Sequence, residues 1–126
     1  MDRPLESIML VEDDEAIRFI AVMALEIGGF RVIECESGLA ALQKVPNEQV
    51  DLVLCDMMMP GMNGLELMAR LRANPGTQHL PVVFLTARVM EDDIREYIDR
   101  GAADVIVKPF DSNVLPVQLR AIWQAL

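Results

Sequence analysis

Glu12-Asp13, Asp56, Thr86 and Lys108 each follow a short apolar run, respectively Ile8–Val11, Leu52–Cys55, Val82–Leu85 and Val105–Val107. If those runs are parallel strands of one open α/β sheet, their carboxyl ends share the edge outside which such sheets bind ligands. Three carboxylates gathered there repel one another and hold a proton unless a cation neutralises them. Mg²⁺ suits such a place, because it keeps several waters and takes one or two carboxylates plus phosphoryl oxygens. Mn²⁺, another oxygen-seeking divalent ion, can substitute. Asp13 and Asp56 are the expected direct ligands, with Glu12 acting through water. The backbone carbonyl of Met58 is a further ligand, since its thioether cannot serve. The Lys108 ammonium would pair with the acids and then bind a phosphoryl oxygen, while the Thr86 hydroxyl donates to another. In-line phosphoryl transfer needs mainly positioning and charge neutralisation. Asp56 is then the nucleophile, forming an acyl phosphate, and the small Ala87 leaves room for it.

Each feature alone has a plainer reading. Glu12-Asp13-Asp14 can be a solvated acidic loop, in which Asp14 caps the following helix. Thr86 can be a β-branched strand residue with a capping hydroxyl. The weight lies in the conjunction.

The elements that must position these side chains alternate along the chain. Apolar runs at Ile8–Val11, Phe30–Cys35, Leu52–Cys55, Val82–Leu85 and Val105–Val107 predict five strands. Ile17, Ile20, Ala21, Ala24 and Leu25 predict a first helix, ended by Gly28-Gly29. Leu39, Leu42 and Val45 mark a second ending near Pro46, and Leu65, Leu67, Met68 and Leu71 a third ended by Asn74-Pro75-Gly76. A fourth runs from about Glu91 to Arg100, with Ile94, Tyr97 and Ile98 on its apolar side and Gly101 as the stop. The fifth starts near Pro116, tolerated in a first turn, after a turn at Asp111-Ser112-Asn113. Strands this uniformly apolar are covered on both faces, and right-handed crossovers make the fold a doubly wound five-stranded parallel sheet, flavodoxin-like, of order 2-1-3-4-5.

A chain of 126 residues, 52% hydrophobic and 25% charged, is expected to be one domain spanning residues 1–126, with a core that needs no staples. No apolar run reaches the roughly 20 residues of a membrane span, and the N-terminal residues lack the pattern of a signal peptide. A net charge of −9 disfavours non-specific binding to nucleic acid or anionic lipid. The expectation is a cytoplasmic protein with no nucleic-acid or membrane partner. Cys35 and Cys55 fall on non-adjacent strands and read as small buried thiols. The lone His79 has no partner ligands at a recognisable spacing.

The residues Leu10-Val11-Glu12-Asp13-Asp14, Asp56 through Gly64, Thr86-Ala87 and Lys108-Pro109-Phe110 resemble the receiver domains of two-component response regulators, over Ile8 to about Trp123. That resemblance implies that Asp56 accepts a phosphoryl group from a histidine kinase or a histidine phosphotransfer protein. It further implies that Glu12 and Asp13 are the acidic pair for Mg²⁺, Thr86 the switch hydroxyl and Lys108 the phosphoryl-binding lysine. The Lys108–Pro109 bond is expected to be cis. The domain would signal and self-dephosphorylate rather than turn over a substrate as an enzyme. Its downstream protein partner or second copy would dock on the face made by the fourth helix, fifth strand and fifth helix, with Tyr97 a candidate anchor, although at least two of Ile94, Tyr97 and Ile98 are expected to pack on the sheet instead. No output domain is expected within residues 1–126, and the chain is read as either a stand-alone regulator or part of a longer protein.

Three positions tune or depart from the family's pattern. Val105 stands where the family usually has an aromatic ring, which puts the threonine–aromatic switch in question; it can equally be a plain strand valine. Met58 and Arg88 lie two residues after Asp56 and Thr86, where side chains govern water access to the acyl phosphate. Arg88 can attract the phosphoryl group, pair with an acid, or be solvated on a loop. Rival functions are a haloacid-dehalogenase-like phosphohydrolase, a flavodoxin-like nucleotide binder and a degenerate receiver that only docks. The first would carry its nucleophile on the first strand, and the acidic triplet repels the phosphate that the second must hold.

Overall fold

The computed structural model describes residues 1–87 and 90–126. Strands β1 (Ser7–Val11), β2 (Arg31–Cys35), β3 (Leu52–Asp56), β4 (Val82–Thr86) and β5 (Asp104–Val107) alternate with helices α1 (Glu15–Ile27), α2 (Gly38–Lys44), α3 (Gly64–Ala73), α4 (Glu91–Asp99) and α5 (Leu115–Gln124). A 3₁₀ turn, Val45–Asn47, extends α2 and contains Pro46. The strands form one parallel sheet in the order β2-β1-β3-β4-β5, as the alternation of elements predicts.

Helix boundaries follow local chemistry. Asp14 is extended, and its carboxylate accepts from the Ile17 N–H at 2.9 Å, satisfying one orphan donor of α1. Gly29, at φ 95°, then turns the chain out of α1. Asn63 and Glu66 form a reciprocal capping box at the start of α3. Helix α4 has no side-chain cap but places Glu91, Asp92 and Asp93 in its first turn, where the helix dipole favours negative charge. Pro116 sits in the first turn of α5, after a turn at residues 112–114.

The two-residue period of the strands divides the core. Ile8, Leu10, Leu52, Leu54, Val83, Leu85 and Ile106 pack with Ala21 and Leu25 of α1 and Leu115, Leu119 and Trp123 of α5. Met9, Val11, Val53, Cys55 and Phe84 face the other way, against Ala41, Leu67, Met68, Leu71 and Tyr97 of α2, α3 and α4. Both faces of the sheet are thus covered, which is why β1, β3 and β4 are buried along their whole length. Gly28 lets α1 cross α5 closely: a Cβ there would lie 2.6 Å from the ring carbons of Pro116.

The helix patterns need correcting at Ile20, Leu39 and Ile98, and the docking expectation at Tyr97. Ile20 and Leu39, assigned to inward faces, are exposed. Ala21, Ala24 and Leu25 carry the α1 contact, and Ala41 that of α2, because small side chains let each helix sit close to the sheet. Tyr97 is not a surface anchor. It is buried with its ring edge-on to Phe84, centroids 5.7 Å apart at 74°, while Ile98 is the exposed one. No described helix is long and apolar enough to cross a membrane.

Candidate functional site

β1, β3 and β4 end within two residues of one another at the carboxyl edge, so Glu12, Asp56 and Thr86 arrive together. The Glu12 N–H donates to Cys35 O (3.1 Å) and the Lys108 N–H to Thr86 O (2.9 Å). These bonds continue the β1–β2 and β4–β5 ladders one residue past the strands and aim both side chains along the edge. From beyond β5, the Lys108 side chain reaches over β4 to the acids. Its Nζ donates to Glu12 Oε1 at 2.8 Å and lies 3.2 Å from Asp56 Oδ1.

Glu12, Asp13 and Asp56 each offer a carboxylate oxygen, and these oxygens lie within 4.8 Å of one another. Glu12 and Asp56 are buried, and Asp13 opens to solvent. Asp56 Oδ1 also accepts from the Met58 N–H at 3.3 Å, and Glu12 Oε2 from the Asp14 N–H at 3.2 Å. Burial pushes the Glu12 carboxyl up from 4.5 to about 7; the neighbouring Asp56 carboxylate adds to this, while Lys108 and the Asp14 amide oppose it. For Lys108, burial works to lower the ammonium, but the bond to Glu12 and the two negative charges outweigh it and raise it. One ammonium among three carboxylates leaves negative charge uncompensated. Together with an all-oxygen donor set, that fits a hard divalent cation such as Mg²⁺.

The remaining predicted positions fall around this centre. Thr86 is buried at the last residue of β4, and Ala87 after it is exposed, next to the edge. The Lys108–Pro109 peptide is cis, and Pro109 is exposed. Val105 pairs with Phe84 across β4 and β5 and is half-buried. The Met58 side chain is exposed although its N–H touches Asp56. Arg88 lies outside the described residues. Burial raises the Cys35 thiol to about 11 and pushes Cys55, directly before Asp56, up further. Both stay protonated and take no part as thiolates.

Arg18 is in contact with the site and was not assigned from the sequence. It donates to the carbonyl oxygens of Glu12 (2.9 Å) and Asp13 (3.4 Å) and pairs with Glu34 at 3.0 Å. The available signal was an arginine one helical turn after an acidic triplet, which by itself does not separate a surface charge from a clamp.

Residues 8–120 match the family model described as response regulator receiver domain. The phosphate regulon transcriptional regulatory protein PhoB of Pseudomonas aeruginosa is 35% identical over 117 residues, 93% of this chain and 51% of that protein. Transcriptional regulatory protein AfsQ1 of Streptomyces coelicolor is 37% identical over 116 residues, 92% of this chain and 50% of that protein. The chain spans about half the length of the curated relatives it matches. Among solved structures, the chemotaxis response regulator CheY4 of Vibrio cholerae superposes with a TM-score of 0.86 at 26% identity, covering 94% of this chain and 98% of that one. A response regulator from Desulfuromonas acetoxidans does so at 0.86 and 26%, covering 96% and 98%. With a family match running from β1 into α5 on a sheet of this order, the chain belongs to the response regulator receiver domains of two-component signalling.

Proposed function

We propose that residues 1–126 act as one phosphoacceptor receiver domain that takes a phosphoryl group onto Asp56 and changes its protein contacts in response. The observation that carries this reading is the Lys108 ammonium shared between Glu12 and Asp56 inside a group of three carboxylates. That is an anionic pocket with one movable cation, beside a buried carboxylate.

The donor is a phosphohistidine, on a histidine kinase or a histidine phosphotransfer protein. An Asp56 carboxylate oxygen attacks phosphorus, and the phosphorus–nitrogen bond breaks. Its electron pair stays on the imidazole, which then takes up a proton. Asp56 becomes an acyl phosphate. Lys108 exchanges its contact with Asp56 for one to a phosphoryl oxygen, and the Thr86 hydroxyl donates to another. Asp13, Asp56 and the Met58 carbonyl would hold Mg²⁺, or Mn²⁺ in its place, with Glu12 acting through water. When bound, the ion supplies charge neutralisation for the phosphoryl oxygens. Water later cleaves the acyl phosphate, so the domain resets itself and is not a turnover enzyme. Ala87 leaves the pocket open, and Met58 and Arg88 set how easily water enters.

The response passes from Thr86 to α4, β5 and α5. Met90, Ile98 and Val107 are exposed apolar side chains of α4, its N-cap and β5, and a downstream partner or a second copy docks there through aliphatic contacts. The half-buried Val105 has no ring to swing, so the signal runs through the segment after Thr86 and through α4. The setting is cytoplasmic, and neither nucleic acid nor membrane is a partner of this domain.

Incubation with acetyl phosphate and Mg²⁺, followed by intact mass, tests the reading. The expected result is one labile phosphoryl group per chain, absent when EDTA replaces Mg²⁺. Steady turnover of acetyl phosphate without a bound group would indicate a phosphohydrolase, and no modification at all a docking module.

A further inference from the structure

The carboxylates of Glu12 and Asp13 hang from the short turn between β1 and α1, and one side chain grips that turn from the α1 side. One guanidinium nitrogen of Arg18 donates to Glu12 O (2.9 Å) and Asp13 O (3.4 Å), while its Nε donates to Glu34 Oε1 on β2 (3.0 Å). The Arg18 side chain is only 14% exposed, against 52% for Glu34. The same turn is tied to α1 by the Arg18 N–H on Asp14 O (2.9 Å) and the Ile17 N–H on Asp14 Oδ1 (2.9 Å).

We propose that Arg18 is a positioning residue for the metal-binding acids, holding the peptide groups of Glu12 and Asp13 where their carboxylates face Asp56. This rests on the reading of those acids as a Mg²⁺ group. Three carboxylates within reach of one another repel, and the cheapest relief is for the solvent-open Asp13 to swing away with its peptide. A clamp on the carbonyls of residues 12 and 13, anchored through Glu34 to a second strand, blocks that movement. The grip needs a planar fork, with one nitrogen on the carbonyls and another on the carboxylate. A lysine ammonium presents no such fork.

The sign of the effect separates this role from the alternatives. If Arg18 acted only as a nearby positive charge, it would compete with the cation, and its removal would tighten Mg²⁺ binding. If it only supported the fold, its removal would lower stability and leave Mg²⁺ affinity alone. As a positioning residue, it weakens Mg²⁺ binding when removed. Groups that orient metal ligands from behind are typically worth about 10- to 100-fold in affinity.

The test is a Mg²⁺ titration followed by the amide signals of Asp14 and Met58, with unfolding of the metal-free protein measured alongside. Arg18→Ala is expected to bind Mg²⁺ about tenfold more weakly. Arg18→Lys should recover little of that loss although it keeps the charge, and Glu34→Gln, changed at an exposed position, should give a smaller weakening. Should Arg18→Ala fail to fold, the other two variants carry the test. Unchanged or tighter Mg²⁺ binding in the variants, or full recovery by lysine, would overturn the inference. A wild-type chain that ignores millimolar Mg²⁺ would instead overturn the metal reading beneath it, and this inference with it.

Discussion

Glu12 is the most strained charge of the site, since it is fully buried and faces another carboxylate. Its carboxyl rises from 4.5 to about 7, so the folded chain holds that proton more tightly than the unfolded one. Stability from this group is therefore full below about pH 4.5 and falls as pH climbs through about 7, by about 3 kcal/mol at most. In metal-free buffer, the urea midpoint of the native chain should drop relative to Glu12→Gln between about pH 5 and 7.5. A gap that does not change with pH would mean the carboxyl is ordinary. Asp56→Asn keeps the shape and removes a charge that repels Glu12. It should fold, bind Mg²⁺ more weakly and take up no phosphoryl group from acetyl phosphate by intact mass. Labelling at another aspartate with unchanged yield would move the nucleophile elsewhere.

At the scale of elements, the approach of α1 to α5 turns on Gly28, the C-cap of α1. Gly28 has φ −71°, open to any residue, so its requirement is space rather than backbone freedom. A Cβ 2.6 Å from Pro116 forces the helices apart, and Gly28→Ala should cost about 1–3 kcal/mol by urea unfolding. An unchanged midpoint would show that α1 can slide over α5 freely. The outer side of the same pair is apolar too: Phe19, Ile20, Met23, Ile27 and Val117 are all exposed. A hydrophobic count along α1 therefore overstates what the helix buries.

For the molecule as a whole, the proposed switch must carry a change from Asp56 to the α4–β5–α5 face without an aromatic at position 105. Beryllofluoride with Mg²⁺, a mimic of the phosphoryl group, should shift amide signals across Met90–Asp99 and Asp104–Val107 as well as around Asp56. It should also raise the thermal midpoint, because it binds only the folded state. Shifts confined to the surroundings of Asp56 and Thr86, with no change in association state by size-exclusion chromatography, would remove that face as the output.

Strand positions were legible in the sequence because they depend on local pattern, and the 2-1-3-4-5 order and the cluster of Glu12, Asp13, Asp56 and Lys108 followed from placing those strands in one doubly wound parallel sheet. Apolar runs of three or four residues, the polar residue that follows each, and a cap such as Asp14 act over a few positions of chain. The parallel topology then brings the strand ends together by rule. Only the tertiary structure decided which apolar helix residues turn inward, since Ile20 and Tyr97 look alike to a periodicity and differ in what the sheet offers them. It alone decided that Arg18 grips the turn carrying the acids and that Gly28 must be bare for Pro116. Those outcomes rest on distances of a few ångströms between residues far apart in the chain, and no local spacing encodes them.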